Sequence, residues 1–245
     1  MQVQKNSRFN DTNKFMTYAL AIHTASPDLG LAISNFAFAT NSRATNSRAT
    51  DSATDSRTQT LPLGRDLSTH MHVHLMKFIQ PQTWADLSFI AVAKGPGGFT
   101  GTRIGVVAAR TMAQQLEIPL FGISSLAAIA WSVRAQAAGK DIAVQMAAQR
   151  GEVHAAIYSF PIDSSSINSS HTAGAIVPQL ADVVMPAAQW QQTLAAWENP
   201  YHLVEAAAGL GGTAMSVLEL AYVDWQMGGR SHWADVLPFY GQSPV

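Results

Sequence analysis

The stretch LSFIAVAKG (87–95) runs unpunctuated to Gly95 and opens directly into GPGGFTGTRIGVVAAR (95–110). An apolar run of that length, ended by glycine and proline and followed by a helical segment from about 100 to 116, is a buried strand leading through a tight turn into a helix. Pro119 then precedes a second short strand, LFGIS, so the segment as a whole is α/β in character. A glycine turn of this kind is either a phosphate cradle or a surface made for another protein. A Walker loop requires a lysine and a hydroxyl after its last glycine. Here Gly101 is followed by Thr102 and Arg103, which excludes the P-loop and leaves only weak anion contact at the helix N-terminus.

Read by faces, the helix carries Gly101, Gly105, Ala109 and Ala113 as one smooth stripe at i, i+4 spacing. Ile104, Val107, Ala108, Thr111 and Leu116 are expected to face the core. Glycine inside a helix costs roughly 0.5–1 kcal/mol relative to alanine, so two of them need a packing reason. Spacing alone leaves open whether the stripe meets this chain's own helix at 66–79 or a partner.

The same order of elements occurs twice. TYALAIHTAS (17–26) and LGLAISNFAF (29–38) are expected to form a hairpin about Pro27-Asp28, and DLSTHMHVHLMKFI (66–79) has Leu67, Met71, Leu75 and Phe78 at helical spacing. Downstream, 142–160 is expected as a second hairpin turning near Arg150-Gly151. A helix at 186–197 opens on Pro186, a strand covers YHLVEA, and a helix over 213–226 stops at Gly228-Gly229. Two copies of one α/β unit joined near 122–140 account for this. Residues 1–15 are polar and aperiodic, a frayed extension that leaves the start at Met1 or Met16. ATNSRATNSRATDSATDSRTQT (39–60) is a decaying repeat that buries too little to offset its ordering entropy, and it is expected as a mobile loop. The serine-rich 163–174 is expected as a surface loop.

Composition narrows the function classes. The chain has 15 Lys+Arg against 16 Asp+Glu and no clustered basic patch, which argues against tight direct binding of nucleic acid. Zero cysteines remove disulfides, thiolate metal sites and thiol nucleophiles together. No run reaches the roughly 18 apolar residues of a spanning helix, and no signal peptide is evident, so a soluble, cytoplasmic protein is expected.

LAIHTAS, AVAKGPGGFTGTRIG, GISSLAAIA and AAQRGEVHAAIY, in this order, resemble the TsaB (YeaZ) family over about residues 16–160, and the ending VLPFYGQSPV resembles the family's C-terminal signature. The resemblance implies a two-lobed actin/Hsp70-like (ASKHA) α/β fold built from a duplicated unit, with an N-terminal lobe over 16–125 and a C-terminal lobe over 126–245. It implies a non-catalytic subunit that binds a TsaD-like catalytic subunit through N-lobe helices and acts with a TsaE-like ATPase. Their product is N6-threonylcarbamoyladenosine at position 37 of tRNA, which meets this chain only through the complex. A homodimer through much the same surface is implied as well, and no membrane, cofactor or metal. It favours the partner role for the stripe, and the expected interface is Gly97, Phe99, Gly101, Arg103, Gly105 and Ala109 with His70 and His74.

Two departures bear on chemistry. Relatives of this fold usually carry an aspartate where this chain has His23, and an acid where it has Ala147. The TsaD-like histidine pair would fall on Ser125 and Ile129, neither an imidazole. An independent nucleotide hydrolase or kinase using the cleft, or a metallopeptidase-like protein, are the alternative functions. His70 and His74 lie one turn apart, yet no glutamate stands between them as in H-E-x-x-H. GISSL lacks the final glycine of a nucleophile elbow. Arg103 and Arg110 share a helix face that is either simply solvated or meets acidic groups or a phosphate.

Overall fold

The computed structural model of the protein describes residues 18–36, 55–160, 176–206 and 208–241. The expected extension 1–15, the choice between Met1 and Met16, insert residues 39–54, the serine-rich loop and the final QSPV lie outside the described residues. The first half forms β1 (Tyr18–His23), β2 (Asp28–Ser34), β3 (Ser56–Pro62), α1 (Leu67–Phe78), β4 (Leu87–Ala93), α2 (Phe99–Leu116) and β5 (Leu120–Ile123). The second half forms α3 (Ser125–Ser132), β6 (Asp141–Ala147), β7 (Glu152–Ser159), β8 (Val177–Pro186), α4 (Ala187–Ala195), β9 (Tyr201–Glu205) and α5 (Ala214–Gln226).

The described residues form two sheets, ordered β3-β2-β1-β4-β5 and β8-β7-β6-β9. In each, three consecutive antiparallel strands are extended by a parallel strand beside the first of them: β4 beside β1, and β9 beside β6. The duplicated unit is therefore visible in the topology. Among the described residues the second copy is shorter, since β9 leads to α5 without an equivalent of the α2–β5 pair.

The side chains explain the layering. The first sheet turns Leu20, Ile22, Leu31, Ile90 and Val92 toward α1 and α2, whose Leu67, Met71, Leu75, Val106 and Ala109 complete that core. Its opposite face is paved with Ala19, Ala21, Ala32, Ala91 and Ala93, small enough for α5 to lie close against the strands. α3 packs on β6, β7 and α5, so both crossing helices fill the space between the sheets. α4 covers the far face of the second sheet through Trp190 and Leu194.

One expectation is corrected here. The mobile-loop reading of 39–60 fails at its end, because Ser56–Pro62 pairs along its whole length with β2. Arg57 of that strand donates to the carbonyls of Phe78, Ile79 and Gln80, binding the new edge strand to the end of α1. The junction near 122–140 contains a helix, α3, in which every residue from Ser125 to Trp131 is buried.

Candidate functional site at the glycine turn and interlobe cleft

The turn after β4 is shaped by what touches it. Gly95 has φ of +101°, and a Cβ there would overlap the carbonyl oxygen of Phe239, so only glycine fits both the backbone and its neighbour. The Gly98 amide donates to the Ala25 carbonyl at 2.7 Å, joining this turn to the one after β1. Gly98 is also the N-cap of α2 and supplies no side-chain cap, while Thr102 Oγ1 donates back to its carbonyl at 2.9 Å.

The small-residue stripe of α2 points inward. Thr24 Oγ1 donates to the Gly101 carbonyl at 2.8 Å, and a Cβ on Gly101 or Gly105 would run into Thr24. Gly105, Ala109 and Ala113 are buried against the first sheet. Of the expected interface residues on this stripe, Gly105 and Ala109 are buried in this chain's own fold, whereas Gly101 is half-buried and lines the cleft; the glycines let α2 settle onto the end of β1. The expected core side is corrected, since Val107 is 58% exposed and Thr111 is exposed, while Ile104, Ala108 and Leu116 are half-buried at the edge of the core.

The other expected interface residues are spread around this point. Phe99 is 45% exposed and Arg103 lies over its ring at 5.3 Å, both at the start of α2. Gly97 is half-buried against Ala25. On α1, His70 is exposed and His74 half-buried. Among the described residues, no group of three or more His, Cys, Asp or Glu side chains could hold a metal ion. No helix of the described residues is long and apolar enough to cross a membrane.

Between the lobes lies a cleft of about 1400 Å³, walled on one side by Thr24–Pro27 and Gly97–Gly101 and on the other by Met146–Arg150, His154 and Val184. At the expected acidic positions the chemistry is different. His23 is fully buried, burial holds its pKa down at about 4, and its Nδ1 accepts weakly from the Ala25 amide at 3.4 Å. A neutral imidazole in that place cannot position a cation as a carboxylate does. Ala147 stands on the opposite wall with no polar group. Ser125 and Ile129 sit in the core on α3.

One polar knot has no counterpart in the sequence reading. Ser124 caps α3 by accepting from the Leu126 and Ala127 amides at 3.1 and 3.2 Å, and its hydroxyl donates to Asp182. Tyr158 donates to the other carboxylate oxygen at 2.5 Å; burial, and then the Asp182 charge, push its phenol pKa far up. The serine is thereby occupied as a cap and a donor. The only sequence signal was Ser124 ahead of an apolar run, the pattern of an N-cap.

A family model described as TsaD, tRNA N6-adenosine threonylcarbamoyltransferase, matches residues 75–214, more than half of the chain. The tRNA threonylcarbamoyladenosine biosynthesis protein TsaB of Bacillus subtilis (strain 168) is 43% identical over 79 residues, covering 31% of this chain and 32% of that protein. TsaB of Buchnera aphidicola subsp. Schizaphis graminum is 40% identical over 72 residues, 29% of this chain and 34% of that one. The chain thus spans about a third of the length of the curated relatives it matches. The solved structure of YeaZ from Pseudomonas aeruginosa aligns with a TM-score of 0.64 at 18% identity, covering 91% of this chain and all of that one, which establishes a common fold. By the family model over more than half its length, and by its likeness to TsaB proteins, the chain belongs to the TsaB (YeaZ) family, within the wider group that the TsaD model describes.

Proposed function

We propose that the protein is a non-catalytic assembly subunit that binds a TsaD-like catalytic subunit and, with a TsaE-like ATPase, supports formation of N6-threonylcarbamoyladenosine in tRNA. The observation that carries this reading is the outward side of the α1–α2 pair. Val73 is 47% exposed, Met76 62% and Val107 58%, on two helices that pack side by side. Fully burying one such side chain is worth about 1.5–3 kcal/mol, so a partner covering them gains several kcal/mol. The proposed interface therefore moves from the glycine stripe to these residues, with His70 and Arg103 at its margins. The same side would accept a second copy of the chain, making the homodimer a competitor of the TsaD complex. tRNA is engaged through the complex, in keeping with the balanced charge.

The non-catalytic part of the reading is supported by the cleft, where a buried neutral His23 and Ala147 stand at the positions expected to hold acids. The test is assembly. The protein is mixed with its cognate TsaD homologue and the mass of the complex is measured for wild type, Val73→Glu and Val107→Glu. Loss of the complex in folded variants is expected, and undiminished assembly rejects the α1–α2 face. Saturable ATP turnover by the isolated chain would overturn the non-catalytic assignment.

A further inference from the structure

We propose that residues 236–241 form a strap that fastens the two lobes across the mouth of the cleft, fixed on the first lobe and releasable from the second. The segment makes four successive contacts. Val236 is buried in the core of the first sheet, lying over Gly122 of β5, where a Cβ would come within 2.8 Å of Val236 Cγ1. The Phe239 amide donates to the Lys94 carbonyl at 2.7 Å, and the Phe239 carbonyl occupies the space that Gly95 leaves by lacking a side chain. Tyr240 sets its ring against Phe99, centroids 4.5 Å apart, at the first residue of α2. Gly241, with φ of +69°, then reaches the second lobe, where its missing Cβ makes room for Val184 of β8 and for His154 Nδ1 of β7, the latter 3.1 Å from where that Cβ would stand.

Tyr240 and Gly241 both line the cleft, so the strap crosses its mouth. Its two ends are held differently. On the first lobe it has a buried valine, a main-chain hydrogen bond and a ring contact. On the second, among the described residues, it has packing alone, seated by a glycine in a left-handed conformation that other residues resist.

The floor of the cleft is joined by continuous chain. α3 starts two residues after β5, and the turn Leu210–Thr213 between β9 and α5 packs on β2 and β3. There Gly30 and Gly211 approach so closely that a Cβ on Gly30 would overlap the Gly211 carbonyl. A lobe rotation that widens the mouth is hinged at this floor and must break the strap at its weaker end. Phe99 links the same strap to the start of α2, so the state of the cleft is transmitted to that helix.

The native chain has no cysteine, so Ser68→Cys and Gln149→Cys, exposed and on opposite walls of the cleft, accept a unique pair of spin labels. Pulsed dipolar spectroscopy on this labelled chain is expected to give one narrow distance distribution. Gly241→Val, Tyr240→Ala and a chain ending at Leu237 are each expected to shift it to longer, broader distances. Hydrogen exchange at the Phe239 amide is expected to stay slow in Gly241→Val and Tyr240→Ala, because the first-lobe anchor persists. A broad distribution in the intact strap, or an unchanged one in the folded variants, overturns the proposal. Fast exchange at Phe239 in those variants overturns its fixed-end, free-end asymmetry. Near-UV circular dichroism establishes folding, and if Gly241→Val does not fold, Tyr240→Ala and the shortened chain decide.

Discussion

The hydroxyl of Thr24 donates to the carbonyl of Gly101 across 2.8 Å, and the next glycine of the same helix face, Gly105, meets the side chain of that threonine. The end of β1 and the first turns of α2 are therefore in direct contact, and the absence of two side chains is what permits it.

Gly105→Ala tests this contact. The new methyl overlaps Thr24 Oγ1, a short, branched and buried side chain with little room to turn. Overpacking of this kind costs typically 1–3 kcal/mol, against the roughly 0.5–1 kcal/mol that alanine gains over glycine in a helix. A net loss of about 1–2 kcal/mol in urea unfolding is expected on these terms. Thr24→Ala removes the obstructing hydroxyl, so Gly105→Ala placed on that background should cost less than on wild type. Equal costs on both backgrounds would show that the contact does not govern the position.

Val107→Glu separates interface from fold. With its side chain 58% exposed, substitution is expected to change stability by no more than about 0.5 kcal/mol. A charge at the centre of an apolar contact should nonetheless weaken association with the TsaD homologue by tenfold or more, read by titration calorimetry. A large loss of stability would mean that Val107 belongs to the core after all.

His23 makes stability depend on pH. Its pKa falls from 6.5 to about 4 on folding because the imidazole is fully buried. Between those values the unfolded chain binds the extra proton, so stability drops as pH falls from about 6.5 toward 4 and levels off below. The full loss from this one group is about 3 kcal/mol. His23→Leu removes the titration, so its stability should vary less with pH across that window than that of the wild type. Parallel pH profiles would assign the dependence to other groups.

The glycine turn, the two hairpins and most helices were legible because apolar runs and turn residues mark them directly. β3 was not, since Ser-Arg-Thr-Gln-Thr is an edge strand held by main-chain pairing to β2, with exposed side chains that resemble those of a loop. α3 escaped for the opposite reason: buried on all sides, it has no polar face to reveal a helical period. The face of α2 that meets the sheet is displaced from its bulky side, so that Val107 and Thr111 are exposed while Ile104, Ala108 and Leu116 line the edge of the core. Here the core side faces a backbone turn at Thr24, and close approach of backbone selects small residues. Asp182 was unreadable because its partners Ser124 and Tyr158 come from two other elements distant in sequence.

That last group yields a prediction about coupling. Asp182 accepts from both Ser124 and Tyr158, and burial raises the value of each bond and the penalty for leaving a partner unmade. Asp182→Ala strands two hydroxyls at once and is expected to cost about 2–4 kcal/mol. Tyr158→Phe removes one donor but leaves the carboxylate with Ser124, for a loss of about 1–2 kcal/mol. Once Asp182 is gone the phenol keeps only the distant Ser124 hydroxyl, 3.5 Å away, so adding Tyr158→Phe to Asp182→Ala should cost little or even restore stability. The cycle should therefore show a coupling energy of about 1 kcal/mol or more. Strict additivity in urea unfolding would mean that the two side chains act independently and that the knot holds no shared energy.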